Sequence, residues 1–208
     1  MIPDIKKSDI VTRKHFSFKV TDIKGKNAEK TMERGCKILE ELGYHYWITS
    51  GNLLGIYRDK KLIDHDTDID ICVLVDIYWD VYKQVKKLTR KMARVSMPCV
   101  YTTVVKNRPM QMVFMDQNNH EVLFDIYFYH EYPGYDFGIN WSAEGIIKKP
   151  LKFIKKLGKI KFKGVTYPTP KPLEKFLEWR FGKDWKTPKK KKDDWVKDAN
   201  HLTLWEDL

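Results

Sequence analysis

Apolar positions recur at two periods along the chain. Met32, Cys36, Leu39 and Leu42 return at helical spacing, with Ile38 alongside. They predict a helix from an Asn27 cap to about Leu42, stopped by Gly43. His45-Tyr-Trp-Ile-Thr-Ser50 is aromatic and β-branched and predicts a short strand. Gly51-Asn-Leu-Leu-Gly55-Ile-Tyr-Arg58 reads as a turn entering a short helix. From Asp68 the period changes to two, and Ile69, Ile71, Val73 and Val75 predict a strand over 68–75. A Lys- and Arg-rich amphipathic helix is expected over 77–94. Strands near 99–105, 110–116 and 121–129 follow. The turns at Lys106-Asn-Arg-Pro and Gln117-Asn-Asn-His make them an antiparallel meander. Residues 1–25 read as an irregular arm, and 130–150 as a loop rich in Gly, Pro and Tyr. A hairpin over 159–167 turning at Lys163-Gly164, and a helix from Leu173 to Phe181 ended by Gly182, come next. An exposed loop at Lys189–Lys192 and a short helix from 193 complete the pattern. This order predicts an α+β fold, a mixed β-sheet with flanking helices and a C-terminal helical and hairpin extension.

Composition narrows the class. The chain has 208 residues, 42% of them hydrophobic, enough to bury a core. The strongly apolar runs are short, such as Ile71 to Val75, against the roughly 20 residues a transmembrane helix needs. The first residues carry no apolar core of a secretory signal. Cys36, Cys72 and Cys99 lie far apart and form no CxxC pair. Reduced thiols, a cytoplasmic location and no stable membrane insertion are the expectations. The net charge is +11, but residues 148–192 hold 17 Lys or Arg against 3 Asp or Glu. That segment suits a polyanionic partner or is simply a solvated lysine surface.

The chemistry concentrates in Asp64-His-Asp66-Thr-Asp68-Ile-Asp70-Ile. On a strand, Asp68 and Asp70 share a face, their Cα atoms about 6–7 Å apart, while Ile69 and Ile71 face the core. Like charges so aligned repel, and a divalent cation between them relieves the repulsion. An EF-hand does not fit: counting from Asp66, its glycine position holds Ile71 and its final glutamate position Ile77. A zinc site built on His65 would need His120 or His130 at ligand spacing. A third acid, Asp125, interrupts the apolar run Val122-Leu-Phe-Asp-Ile-Tyr-Phe, where an unpartnered carboxylate is costly. Pairing that strand beside 68–75 brings Asp125 to the same metal, with Mg²⁺ (or Mn²⁺) the natural ion. Upstream, Ser50, Gly51, Asn52 and Gly55 form a strand–turn–helix start able to hold a phosphate, and Arg58 could face the same cleft.

The run from Gly51 to Ile71 resembles the signature of the LicD family, approximately G-T-L-L-G-x-x-R-x-x-x-x-I-x-x-D-x-D-I-D-I. That family also includes fukutin and the fukutin-related protein. Lys161-Phe-Lys-Gly-Val-Thr-Tyr-Pro-Thr-Pro and Leu177-Glu-Trp-Arg-Phe-Gly-Lys-Asp-Trp-Lys-Thr-Pro188 are similar to its two downstream segments. The resemblance covers roughly residues 28–188. It implies a nucleotidyltransferase (polymerase-β-like) fold and a division into an arm (1–26), a LicD-like domain (27–188) and a basic loop with a short helix (189–208). It further implies Asp68 and Asp70 as paired metal ligands and Asp125 as the third carboxylate, completing the metal site or taking the acceptor proton. Ser50, Gly51, Asn52, Gly55, Arg58, Asp66 and Arg180 are the implied substrate-binding residues. Asn52 departs from the family's Thr. The cysteine-bound zinc insertion and the membrane anchor of some members have no counterpart in this sequence.

The implied activity is transfer of phosphocholine or a polyol phosphate from a CDP-linked donor to a glycan hydroxyl, with release of CMP. A metal-dependent glycosyltransferase with a DxD motif is the nearest rival; it would release an intact nucleoside diphosphate. A nucleic-acid-binding protein or RNA-modifying nucleotidyltransferase is a third class, suggested by the basic segment and not favoured. Phe176, Trp179, Phe181 and Trp185 sit at helix-core spacing, not as a stacking platform. Lysines at 148–163 and 189–192 are expected to steer a phosphorylated acceptor toward the cleft.

Overall fold

In a computed structural model, residues 2–23, 27–76, 78–119, 121–188 and 202–207 are described. The strands are β1 (Ile10–Lys14), β2 (His45–Ile48), β3 (Asp68–Val75), β4 (Cys99–Val105), β5 (Arg108–Asp116) and β6 (Val122–Glu131). They continue as β7 (Phe137–Trp141), β8 (Gly145–Pro150), β9 (Gly158–Phe162), β10 (Val165–Thr169) and β11 (Leu202–Leu204). The helices are α1 (Ala28–Glu41), α2 (Ser50–Arg58), α3 (Val81–Arg94), α4 (Leu151–Ile154) and α5 (Leu173–Phe181). Among the described residues nine strands join one mixed sheet, and β9 and β10 form a separate hairpin.

β6 is the hub of the sheet. It pairs antiparallel with β5, parallel with β3, and antiparallel with β7 at its C-terminal end. The expected meander β4–β5–β6 is present. The parallel register sets Asp70 opposite Asp125, Cys72 opposite Tyr127 and Leu74 opposite Tyr129. Side chains alternate along a strand, so this register sorts the sheet into two faces. Ile69, Ile71 and Val73 join Phe124, Ile126 and Phe128 in the core, all at 0% exposure. Met32, Cys36 and Leu39 of α1 and Leu88 and Met92 of α3 belong to the same core. The opposite face carries the acids.

Two segments depart from the sequence reading. The arm is not irregular throughout: Ile10–Lys14 add to the sheet beside β4. Most of its side chains are exposed, so no alternation marked it. Residues 130–150 are not a loop either, since the end of β6 and the hairpin β7–β8 lie there. Gly138, Asn140 and Gly145 mask the apolar positions Ile139, Trp141 and Ile147. Asn27 stands before α1 without a side-chain cap bond. The helix expected from residue 77 starts at Val81, with Asp80 accepting from the Lys83 amide. The Lys189–Lys192 run and the start of the short helix expected from 193 lie outside the described residues. Leu202–Leu204 form a strand against β8, followed by a single 3-10 turn.

Candidate metal and phosphate site

Asp68 and Asp70 project from the start of β3 and Asp125 from β6. One carboxylate oxygen from each lies within 4.8 Å of the others. Asp70 and Asp125 are only 9% and 5% exposed. Burial, and then the neighbouring charges of Asp68, Asp66 and Asp125, push the Asp70 carboxyl well above the usual range. Burial likewise raises Asp125, to about 6, against the opposing effect of hydrogen bonds from Gln111 and Tyr127. Gln111 Nε2 donates to Asp125 Oδ2 at 2.9 Å, and Tyr127 Oη donates to the same oxygen at 3.2 Å. The other oxygen, Oδ1, is buried without a hydrogen-bond partner. A buried orphan carboxylate oxygen beside two more carboxylates is costly in the bare protein. Three hard oxygen donors at this spacing fit a divalent cation.

The strand–turn–helix start sits over these acids as expected. Ser50 occupies the left-handed region (φ 53) at the β2–α2 junction, a conformation costly for a residue with a side chain. Its hydroxyl hydrogen bonds the Asp70 carboxyl. Gly51 is required by close approach, because a Cβ there would stand 2.2 Å from Asp66 Oδ2. Asp66, with its charge felt at Asp70, therefore packs directly under the helix start.

The other expected binding residues divide between the site and its surroundings. Asn52 is fully buried. Its Oδ1 accepts the Asp70 backbone N–H and its Nδ2 donates to the Asp68 carbonyl at 3.1 Å. It clamps α2 to the acidic end of β3 and so acts through the strand. Gly55 serves packing: a Cβ would lie 2.6 Å from the Lys61 carbonyl. Arg58 stands at the far end of α2, pairing with Asp59 at 2.7 Å and reaching the Trp185 carbonyl at 3.4 Å. Arg180, in the last turn of α5, has its pKa held down by burial and lies near enough to Asp70 for that carboxylate to oppose the effect.

Sequence reasoning passed over Gln111 and Tyr127, and it counted Lys149 only as one of the steering lysines of 148–163. Gln111 and Tyr127 follow from register alone, since Gln111 pairs with Tyr127 and Tyr127 shares a face with Asp125. Lys149 carries no such signal, and nothing in Lys-Lys-Pro distinguishes it from its exposed neighbour Lys148.

The three cysteines are free thiols, and burial raises each above its ordinary value. Among the described residues no helix is long and apolar enough to cross a membrane.

Comparison with known proteins agrees with the geometry. Residues 43–172 match the family described as LicD/FKTN/FKRP, nucleotidyltransferase domain. The ribitol-5-phosphate transferase FKTN of Mus musculus is 23% identical over 166 residues, 78% of this chain and 34% of that protein. The FKTN of Homo sapiens is 22% identical over 170 residues, 79% of this chain and 34% of that protein. The chain thus spans about a third of the length of these relatives. Among solved structures, ANT(2")-Ia in complex with adenylyl-2"-tobramycin aligns over 51% of this chain and 52% of that one, with a TM-score of 0.31 and 10% identity.

Proposed function

We propose metal-assisted phosphoryl-group transfer for this chain, which belongs to the LicD/FKTN/FKRP family. The reaction moves a phosphocholine- or polyol-phosphate-type group from a CDP-linked donor to a glycan hydroxyl. The observation that carries the reading is the unpartnered, buried Asp125 Oδ1 beside Asp68 and Asp70. Acids held this close without neutralisation destabilise the protein, and a chain keeps them where a cation and a phosphate ester will sit.

Asp68, Asp70 and Asp125 would hold Mg²⁺ or Mn²⁺. A cation held by these three carboxylates would supply charge neutralisation for the donor diphosphate and for the departing CMP. The protein's own part is positioning. Gln111 and Tyr127 fix Asp125 Oδ2, leaving Oδ1 as the oxygen that would be available to a cation. Asn52 fixes the backbone between Asp68 and Asp70, and Ser50 orients Asp70. The N-terminus of α2, opened by Gly51, offers backbone N–H groups to a phosphate oxygen. The acceptor hydroxyl attacks the donor phosphorus in line and gives up its proton to a carboxylate oxygen of the trio.

A thermal-shift series with CDP-choline, CDP-ribitol, CDP-glycerol, UDP-sugars and NTPs, each with and without Mg²⁺, tests the reading. A CDP-linked donor at 100 times its Kd should stabilise the fold by about 2.7 kcal/mol, in the presence of Mg²⁺ only. Stabilisation by UDP-sugars alone, or by no nucleotide, contradicts it.

A further inference from the structure

The acidic face of the sheet continues beyond the aspartates and changes sign. Along β6, Asp125, Tyr127 and Tyr129 point the same way, and beside them on β3 stand Asp70, Cys72 and Leu74. Tyr129 lies four residues past Asp125, about 13 Å along the strand. Over its ring sits Lys149 Nζ, 4.8 Å from the centroid, with the Phe176 ring at 5.9 Å. Lys149 is 3% exposed. Its register partner on β7 is Gly138, where a Cβ would meet Leu74 Cδ1 at 3.1 Å and Tyr129 Cβ at 3.2 Å. The missing side chain opens the corridor through which the lysine reaches the ring.

Arg180 stands one helical turn past Phe176 on α5 and so approaches the same place, and its charge disfavours the charged form of Lys149. Among the described residues no hydrogen bond or ion pair reaches Lys149 Nζ or the Arg180 guanidinium. Two tyrosine and phenylalanine faces offer Lys149 only partial compensation, of the order of 1–2 kcal/mol. Nearly all other lysines of the basic segment described here are exposed to solvent, so Lys149 is not one more surface charge. A buried lysine beside a second, half-buried cation is best balanced by an anion; Asp70 acts on both cations, but its carboxylate belongs to the metal-binding trio.

We propose that Lys149 and Arg180 form an anion subsite for a phosphoryl group of the substrate, on the same sheet face as the three aspartates. The inference rests on the transferase reading for its substrate and not for its existence. Phosphate is the chemistry that fits: Arg180 offers a planar fork and Lys149 a point charge, approaching from two different elements. The group could belong to the donor or to a phosphorylated acceptor. The lysine is the positional device, since Tyr129 and Phe176 fix where its ammonium stands.

The test measures binding of inorganic pyrophosphate by calorimetry with chelator present, in the parent, Lys149→Met, Arg180→Gln and Asp70→Asn. Lys149→Met should weaken binding roughly ten- to hundredfold, the effect of losing one charge-assisted bond. It should also melt higher than the parent, because a buried unbalanced charge gives way to an apolar chain of similar length. Asp70→Asn should bind pyrophosphate at least as well as the parent. A parent that binds no pyrophosphate, or a Lys149→Met that binds it equally, overturns the proposal. Should Lys149→Met fail to fold, Arg180→Gln at its half-buried position carries the same test, with the same two outcomes. Repeating the titration with CDP and with glycerol 3-phosphate assigns the source, since Lys149→Met weakens whichever carries the seated phosphate. Because no turnover is read, failure of the CDP-donor reading leaves this measurement intact.

Discussion

Asp116 and Asp125 end and centre neighbouring strands, both nearly closed to solvent at 0% and 5% exposure. They are partnered in opposite ways. Asp116 Oδ2 accepts from the Thr31 hydroxyl at 2.7 Å and pairs with Arg34, and its Oδ1 accepts the Asn118 amide at 3.1 Å. Every oxygen has a donor, one of them cationic, and the acid ties α1 to the end of β5. Asp125 has two neutral donors on one oxygen and none on the other, with two acids facing it. The same residue type at the same depth is thus a rivet in one place and a poised ligand in the other. Burial alone does not separate the two; the count and charge of the partners does.

The comparison breaks most visibly on activity. Asp125→Asn should lower turnover by about a thousandfold, the several kcal/mol that a metal contributes to charge stabilisation, with melting temperature unchanged or raised. Retained activity, or a collapse in stability, removes Asp125 from the site. Asp116→Asn should do the reverse. It removes the counter-charge of Arg34 and turns one of two occupied acceptor oxygens into a donor, lowers stability by about 2–3 kcal/mol in a denaturant titration, and leaves divalent-ion affinity as in the parent.

Proton linkage gives a third, somewhat smaller effect. Asp125 is raised in the folded protein, to about 6, so its protonated form is favoured by folding. The stability this confers on the metal-free protein is fully present below the ordinary carboxylate range and is lost as pH rises through about 6. Thermal melts in chelator should therefore fall between pH 4.5 and 7.5, by on the order of 2 kcal/mol. Added Mg²⁺ should remove most of the fall, because a bound cation favours the ionised form. A metal-free melting curve that rises over this range contradicts the assignment. The smallest expected effect is at Asn52. Asn52→Ala leaves the buried Asp70 amide without its acceptor and should cost about 1–2 kcal/mol while weakening divalent binding severalfold. Unchanged metal affinity in a less stable protein would make Asn52 a purely structural clamp.

Much of this was legible in the sequence because it rests on local pattern. The alternation from Ile69 to Val75 set the face of Asp68 and Asp70, and the misplaced acid at 125 pointed to the neighbouring strand. The adjacency of β3 and β6 then follows from the need to give Asp125 a partner, whereas their parallel direction is set by the fold and had no local signal. What stayed hidden was long-range or disguised. β1 buries almost nothing, and β7 and β8 are interrupted by glycines and an asparagine that read as loop. Asn52, Gly55 and Arg58 match a phosphate-binding pattern in sequence, yet their side chains or missing side chains answer to β3, the 61–63 loop and Asp59. Lys149 is the sharpest case. Its burial depends on Gly138, Tyr129 and Phe176 meeting from three elements, and no local window contains all of them.

The central claim, that Asp68, Asp70 and Asp125 make one divalent-cation site, is tested most directly by calorimetric titration of Mn²⁺ into the parent, Asp125→Asn and Asp116→Asn at pH 7.5. The account predicts saturable binding in the parent, binding weakened at least tenfold in Asp125→Asn, and parent-like affinity in Asp116→Asn. Equal affinity in the parent and Asp125→Asn, or no saturable binding in the parent, would contradict it.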